Sequence, residues 1–263
     1  MQETIAKVLQ VENLQGPYYK IHFSAPYIAE NAQGGQFVHI KVPHLGERLL
    51  RRPFSINSVD PEKGTLTVTF KVVGEGTEKM THLQAGEEVS ILGPLGNAYT
   101  IPGKGITPIL VDGGYGSAAT FLAAKRAAEK AIVLLGARTK EDIILAEDYV
   151  AEGCEVKIAT NDGSLGHKGF VTELLPEIVK GKDPKSFMIM GCGPTPMLMA
   201  LGKIALSLGI ETELSLDEHM CCGVGACFGC VVKVADKESE QGWRFSRSCK
   251  EGPIYKAEEV YYG

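Results

Sequence analysis

No apolar run in this chain of 263 residues approaches the length that crosses a bilayer, which predicts a protein without a membrane span. Cationic excess is missing too: the net charge is −5, and mild acidity argues against nucleic acid as a partner. There is no internal repeat and no low-complexity segment, so the regions of the chain are expected to differ from one another. No signal peptide is visible, because Met1-Gln2-Glu3-Thr4-Ile5 runs straight into an alternating strand pattern; a soluble, cytoplasmic protein with free thiols is expected. The length implies more than one domain, and 44% hydrophobic residues suffice for packed cores.

Cysteine is present in a telling pattern. Cys222, Cys227 and Cys230 stand as C-x4-C-x2-C, and Cys249 follows 18 residues later. This is the plant-type ferredoxin spacing, in which a tight loop wraps three thiolates around a 2Fe-2S cluster. Gly223, Gly225 and Gly229 let the backbone turn tightly and bring its N–H groups toward the sulfides. Structural zinc usually takes paired C-x2-C knuckles and only one is present, so iron–sulfur is preferred to zinc, and both to disulfides. Cys222 rather than Cys221 gives the x4 spacing, and Cys154 and Cys192 read as small buried residues. A Rieske site would need two histidines, and His219 has no neighbour; it reads as a solvated loop residue.

Residues 1–98 hold about six short, β-branched stretches punctuated by Gly and Pro, including 4–11, 18–24, 36–42, 65–73 and 88–92. A small antiparallel barrel is expected. Within it, Arg52-Pro53-Phe54-Ser55 could offer a cation to a pyrophosphate, a ring to a flavin and a hydroxyl to its isoalloxazine; the plain alternative is an edge strand with a solvated arginine. About 20 residues on, Lys71-Val72-Val73-Gly74-Glu75-Gly76-Thr77 leads into a helical pattern over 78–83, where amides and helix dipole favour phosphate. Together they make an FAD clamp. Gly93-Pro94-Leu95-Gly96-Asn97 reads as a turn-rich close to the barrel.

Residues 103–215 alternate strands (106–111, 131–137, 155–160) with helical stretches (118–130 and near 141–149), the pattern of a parallel α/β sheet. Ligands of such sheets bind at the carboxyl ends of the strands, where Gly113, Gly114 and Gly116 and the segment Gly191-Cys192-Gly193-Pro194 would both lie. A bare strand-to-helix connection would look the same. Residues 216–263 are too few for a large core, so a metal cluster is expected to supply much of their folding energy, with Phe228 and Tyr255 shielding it.

These motifs, in this order, resemble the ferredoxin–NADP reductase superfamily, and within it the electron-transfer subunits of type B dihydroorotate dehydrogenase. The likeness covers nearly the whole chain. It implies a multi-domain β and α/β protein: an FAD-binding β-barrel (1–98), an NAD-binding α/β domain (103–215) and a C-terminal 2Fe-2S domain (216–263). It implies FAD held by Arg52, Pro53, Phe54, Ser55, Lys71, Val72, Val73, Gly76 and Thr77. NAD(H) is implied at Gly113, Gly114, Gly116, Gly191, Cys192 and Gly193, with Asp162-Gly163-Ser164 and Gly166 nearby, and the cluster on Cys222, Cys227, Cys230 and Cys249. Electrons would pass between NAD(H), FAD and the cluster and on to an FMN-containing catalytic subunit of pyrimidine biosynthesis, in a heterotetramer of two copies of each. This chain itself shows no base for oxidising a carbon substrate.

The family pattern departs at two places, where Asp112 stands for a glycine and Ala119 for a proline. An aspartate beside a pyrophosphate would repel it; alternatively Asp112 points to solvent or caps the helix. The departure leaves open a second reading, the small subunit of another reductase or bifurcating complex fed by ferredoxin or flavodoxin. A third is a cluster-based redox-sensing module without enzymatic activity. Lone Arg138 after the strand 131–137, without a basic pair, favours NADH over NADPH.

Overall fold

Strand β1 (Gln2–Gln15) is long enough to pair with two neighbours at once, and that closes a barrel. The computed structural model describes residues 1–43, 45–46 and 49–263. After β1 come β2 (Tyr18–Ser24), α1 (Pro26–Asn31), β3 (Phe37–Ile40), β4 (Arg52–Asp60), β5 (Thr65–Lys71), α2 (Glu75–Thr81) and β6 (Glu88–Leu95). The six strands are antiparallel and ordered β1-β2-β5-β4-β3-β6. Period-two alternation sends Val8, Ile21, Phe23, Val38, Ile40, Ile56, Val68 and Ile91 into one core. Two boundaries differ from the sequence expectation. The strand β6 runs on through Gly93-Pro94-Leu95, because Gly93 pairs with Gln2 and Leu95 with Phe37. The helix α2 starts three residues earlier, where the Thr77 hydroxyl accepts from the Val73 and Gly74 amides and donates to the Gly74 carbonyl.

The second region is a sheet ordered β10-β9-β8-β7-β11-β12-β15. Its elements are β7 (Thr107–Gly113), α3 (Ser117–Arg126), β8 (Ile132–Ala137), α4 (Ala146–Ala151), β9 (Glu155–Thr160), β10 (His167–Lys168), α5 (Leu175–Val179), β11 (Phe187–Cys192), α6 (Thr195–Leu208) and β12 (Glu211–Ser215). These strands are parallel, and β11 is buried along its whole length, as expected of a strand covered on both faces. The acidic stretch read as one helix near 141–149 is broken by Leu145, whose φ of 61° no helix continues through.

Residues 139–148 bind the barrel to the sheet. Asp142 accepts from Tyr18 Oη (2.5 Å) and Lys71 Nζ (2.9 Å), Asp148 pairs with Lys20 (2.8 Å), and Gln15 donates to the carbonyls of Glu141 and Ile143. The helix α3 adds Leu122 to the barrel core, and a Cβ on Gly34 would lie 2.6 Å from the Ala123 amide nitrogen. The last region forms a hairpin of β13 (Val231–Ala235) and β14 (Trp243–Arg247), then β15 (Ile254–Lys256), which completes the large sheet antiparallel to β12. Asn97, at the end of the barrel, donates to the Glu251 and Ile254 carbonyls and accepts from Ile254 N. Thus three sequence regions share seams, and any site at those seams is built from more than one of them. No helix among the described residues is long and apolar enough to cross a membrane.

Candidate functional site

Pleating decides what β4 can offer. Phe54 packs in the barrel core, edge-on to Phe70 at 5.6 Å, so its ring is not free to face a flavin as the sequence suggested. Its neighbours Pro53 and Ser55 take the opposite face, and the register sets them across from His39 and Phe37 of β3. The two arginines before them differ. Arg51 is committed to Glu3 (2.7 Å) and the Ser90 carbonyl (2.9 Å), whereas Arg52 has no acidic partner among the described residues and donates only to the Leu50 and Arg51 carbonyls. Gly76 lies against it: a Cβ there would come within 3.4 Å of Arg52 Nε. Guanidinium and glycine turn therefore meet, as a pyrophosphate clamp requires.

Other residues of that segment are engaged otherwise. Lys71 is held by Asp142 and lies over the Tyr18 ring, Val72 donates to the Pro17 carbonyl, and Val73 is exposed. Thr77 closes its own turn. Of the predicted FAD residues, Pro53 and Ser55 share one face of β4, Arg52 meets Gly76 on the other side of the strand, and Phe54 and Lys71 are engaged within the fold.

The second cluster gathers at the carboxyl ends of β7, β11 and β12. Cys192 pairs with Asp112 in the β7–β11 register, and the glycines beyond them interlock. A Cβ on Gly113 would lie 2.6 Å from Pro194 Cδ, and one on Gly116 only 2.3 Å from the Cys192 carbonyl oxygen. Gly191 is packed in the sheet under Leu201 and Leu214, so its role is close packing. Tyr115 stands half exposed on the rim. Burial first, and then Asp112 and Asp217, push the Cys192 thiol far above its ordinary value, so it is a neutral thiol. Asp217, just past β12, was missed by the sequence reading. Desolvation raises its carboxyl to about 6 although the residue keeps exposed surface, and it acts on both Cys192 and Tyr115. Strand order, once known, is the signal that would have found it, because β12 adjoins β11. Arg138 follows β8, and the 162–166 loop follows β9, where Ser164 accepts from the Lys140 amide.

Asp112 does not behave as the sequence suggested. It neither faces solvent nor caps α3; it is wholly buried and hydrogen-bonded to Thr120 Oγ1 at 2.7 Å. Burial pushes its carboxyl up to about 8. An uncharged acid, turned away from the loop surface, does not repel a pyrophosphate.

The third cluster is the cysteine loop. Cys222 Sγ accepts from the amides of Ala226 (3.3 Å) and Cys227 (3.4 Å), and Cys230 Sγ accepts from Cys249 N (3.4 Å). Burial opposes ionisation of Cys222, but the Val224, Cys227 and Ala226 amides outweigh it and bring the thiol down to about 6. Burial and the neighbouring Cys230 push Cys249 up to about 12 in the metal-free protein. Among the described residues no three such side chains converge as on a single ion. Instead Cys222 stands with Cys227 and Cys230 with Cys249, the two-thiolates-per-iron division of a 2Fe-2S centre. Cys221 is exposed and, among the described residues, accepts no such amide, which favours Cys222 as the ligand. The loop is braced by Arg247, which donates to the Gly225 carbonyl (2.7 Å), pairs with Glu251 and lies 4.8 Å over the Phe228 ring. Phe228 is 61% exposed, so it does not shield the thiols as expected; Tyr255 is buried and bonded to Ser246.

One residue outside every motif joins two clusters. His39 is fully buried, and neither ring nitrogen has a hydrogen-bond partner among the described residues. A Cβ on Gly223 would lie 2.6 Å from its Nδ1. His39 therefore spans from the outward face of β3–β4 to the cysteine loop.

The family described as the iron-sulfur cluster binding domain of dihydroorotate dehydrogenase B matches residues 217–261, and that described as the oxidoreductase FAD-binding domain matches residues 9–99. The chain is 37% identical over 260 residues to the dihydroorotate dehydrogenase B (NAD(+)) electron transfer subunit of Desulforamulus reducens, covering 98% of this chain and 97% of that one. It is 38% identical to the subunit of the same name from Enterococcus faecalis, with 98% of each chain covered. A solved structure of an NADH-dependent reduced ferredoxin-NADP oxidoreductase, studied for flavin-based electron bifurcation, superposes with a TM-score of 0.83 at 27% identity, covering 98% of this chain and 90% of that one.

Proposed function

The chain belongs to the family of electron-transfer subunits of NAD(+)-linked dihydroorotate dehydrogenase B, and from that membership we propose how its residues divide the reaction. It is an oxidoreductase subunit that moves electrons between NAD(H), FAD and a 2Fe-2S cluster. When bound, FAD interconverts a hydride pair and single electrons, and the cluster carries one electron at a time.

The proposed domains are 1–98, 103–215 and 216–263. Arg52 with the 74–77 turn holds the FAD pyrophosphate, while Pro53 and Ser55 give the flavin an apolar floor and a hydroxyl. The 113–117 turn and the start of α3 take the dinucleotide phosphates. Cys192, Gly193 and Asp217 bound the space beside it, with the neutral thiol excluding water and the Asp217 carboxylate accepting a hydrogen bond. Cys222, Cys227, Cys230 and Cys249 hold the cluster. The observation that carries this reading is the outward face of β3, where His39 stands opposite Pro53 on one side and against Gly223 on the other. A carrier on β4 and a carrier in the cysteine loop are thereby neighbours.

Oxidation of the carbon substrate belongs to the catalytic partner subunit that an electron-transfer subunit implies. We propose that this partner carries FMN, that two copies of each chain assemble, and that the complex works in the cytoplasm in pyrimidine synthesis. The rival in which ferredoxin or flavodoxin feeds the chain rested on a charged Asp112 barring the nucleotide, and a buried neutral acid removes that ground. The test is an anaerobic titration with NADH and then NADPH, following flavin bleaching and the cluster bands. Bleaching by NADH at far lower concentration than NADPH supports the reading. Reduction by dithionite alone sinks it and reopens the ferredoxin-fed reading, and a colourless protein removes both.

Arg52→Gln keeps a polar side chain but removes the charged fork. It is expected to weaken FAD about 10- to 100-fold, the size of a lost charge-assisted bond to phosphate. Flavin retained per chain after gel filtration checks this, with Arg51→Gln, whose guanidinium is tied to Glu3, expected to retain far more.

A further inference from the structure

Asp112 is the penultimate residue of β7, and its side chain enters a buried space bounded by α3, α4 and β11. Four oxygens stand there in line. Asp112 Oδ2 lies 2.7 Å from Thr120 Oγ1, Thr120 Oγ1 lies 2.8 Å from Tyr149 Oη, and Tyr149 Oη lies 2.8 Å from the Ser117 carbonyl. Three contacts of that length need three protons between them. The carbonyl has none to give, and Thr120 and Tyr149 have one each. Were Asp112 ionised, one of the three pairs would meet with only lone pairs between the atoms. A proton on Asp112 completes the chain: Asp112 donates to Thr120, Thr120 to Tyr149, and Tyr149 to Ser117.

Burial outweighs the hydrogen bonds from Thr120, Tyr149 and the Cys192 backbone that favour the charge, and no cation adds to them. Cys192 faces the carboxyl from β11 and Leu135 is its register partner on β8. Tyr99 approaches from the segment after the barrel, Ser117 and Thr120 from α3, and Tyr149 from α4. None of these is a cation. Asp112 Oδ1 has no partner among the described residues, a tolerable state for the carbonyl oxygen of an acid and a costly one for an anion. Burial, pushing the group to about 8, agrees with the count of protons.

The line of oxygens begins one residue before the glycine turn and ends one residue after Gly116, so it ties both ends of that turn together. We propose that Asp112 is a neutral, proton-donating acid that clamps the 113–117 turn to α3 and α4, a positioning residue for the dinucleotide. The proposal rests on the reading that NADH binds this turn. Because the folded value lies above the ordinary 3.8, the contribution of Asp112 to stability is full below about pH 4 and is lost as pH rises through about 8.

The test uses the FAD- and cluster-loaded protein. The infrared difference spectrum of wild type minus Asp112→Asn should hold a protonated-carboxyl C=O band at pH 7 that moves in D2O and fades above about pH 8. Asp112→Ala, and Thr120→Val in the middle of the chain, should raise KM for NADH about tenfold, as one lost buried hydrogen bond would. Asp112→Asn, whose amide donates where the acid did, should recover that affinity, remove the rise of KM at alkaline pH and unfold several degrees higher at pH 8. No carboxyl band, an Asp112→Asn protein as poor as Asp112→Ala, or one that does not fold, would each overturn the proposal. Failure of NADH to reduce wild-type flavin sinks the function reading instead, and the band still decides the proton.

Discussion

Cys227→Ser is expected to abolish the visible absorbance of the cluster while the flavin remains bound. Two-iron clusters select soft thiolates, and a serine oxygen is both harder and shorter in reach. Cys227 is paired with Cys222, so its loss leaves one iron with a single sulfur from the chain. The barrel does not share in the damage: its core is a separate cluster of side chains, and Gly76 stands against Arg52 and the core residue Leu45. The last region should stay folded enough to detect, because β15 is locked in the large sheet beside β12 and Tyr255 packs in that sheet's core. One escape exists. The Cys221 and Cys227 sulfurs both lie near Gly229, 3.5 and 3.6 Å from where its Cβ would stand, so Cys221 is placed to substitute. The double variant Cys221→Ala, Cys227→Ser closes that route. Iron and acid-labile sulfide per chain, with the flavin spectrum as internal reference, decide it; full iron in the double variant would mean that the ligand set is wrong.

What the sequence disclosed follows from how local each signal is. Cluster ligands sit within nine residues and a fourth thiol, and their spacing is itself the geometry, so Cys222, Cys227, Cys230 and Cys249 could be read directly. Strand and helix alternation likewise exposed the barrel and the parallel sheet. Arg52-Pro53-Phe54-Ser55 was legible as a motif but not residue by residue, since pleating turns Phe54 inward against Phe70 while Pro53 and Ser55 face out. Asp112 was misread because its neighbours in the chain are glycines of a loop, while its neighbours in space are Thr120 and Tyr149. His39 and Asp217 belong to no motif at all. Their chemistry comes from contacts made across regions, with Gly223 in one case and with Cys192 and Tyr115 in the other. Such residues are found only when the strand order is known.

Gly116→Ala is the sharpest test of the dinucleotide turn. The added methyl would stand 2.3 Å from the Cys192 carbonyl oxygen, 2.7 Å from its carbon and 3.1 Å from Gly193 N. All three are backbone atoms, so no side chain can rotate away, and the ends of β7 and β11 must part. Overpacking of this kind costs about 1–3 kcal/mol. The functional cost is larger, because displacing one half of a site by about 1 Å can lower a rate about 100-fold. Flavin reduction by NADH in stopped flow should slow by about that factor, while dithionite still reduces both centres, since Arg52 and the cysteine loop are untouched. Gly103→Ala, where a Cβ meets nothing within 4 Å, controls for the substitution itself and should behave as wild type. A Gly116→Ala protein that folds and accepts hydride at the normal rate would place the nicotinamide somewhere other than between these two strand ends. It would also separate the two roles argued for this turn, because the proton on Asp112 depends on the side chains of Thr120 and Tyr149, and neither is among the atoms that the methyl meets first.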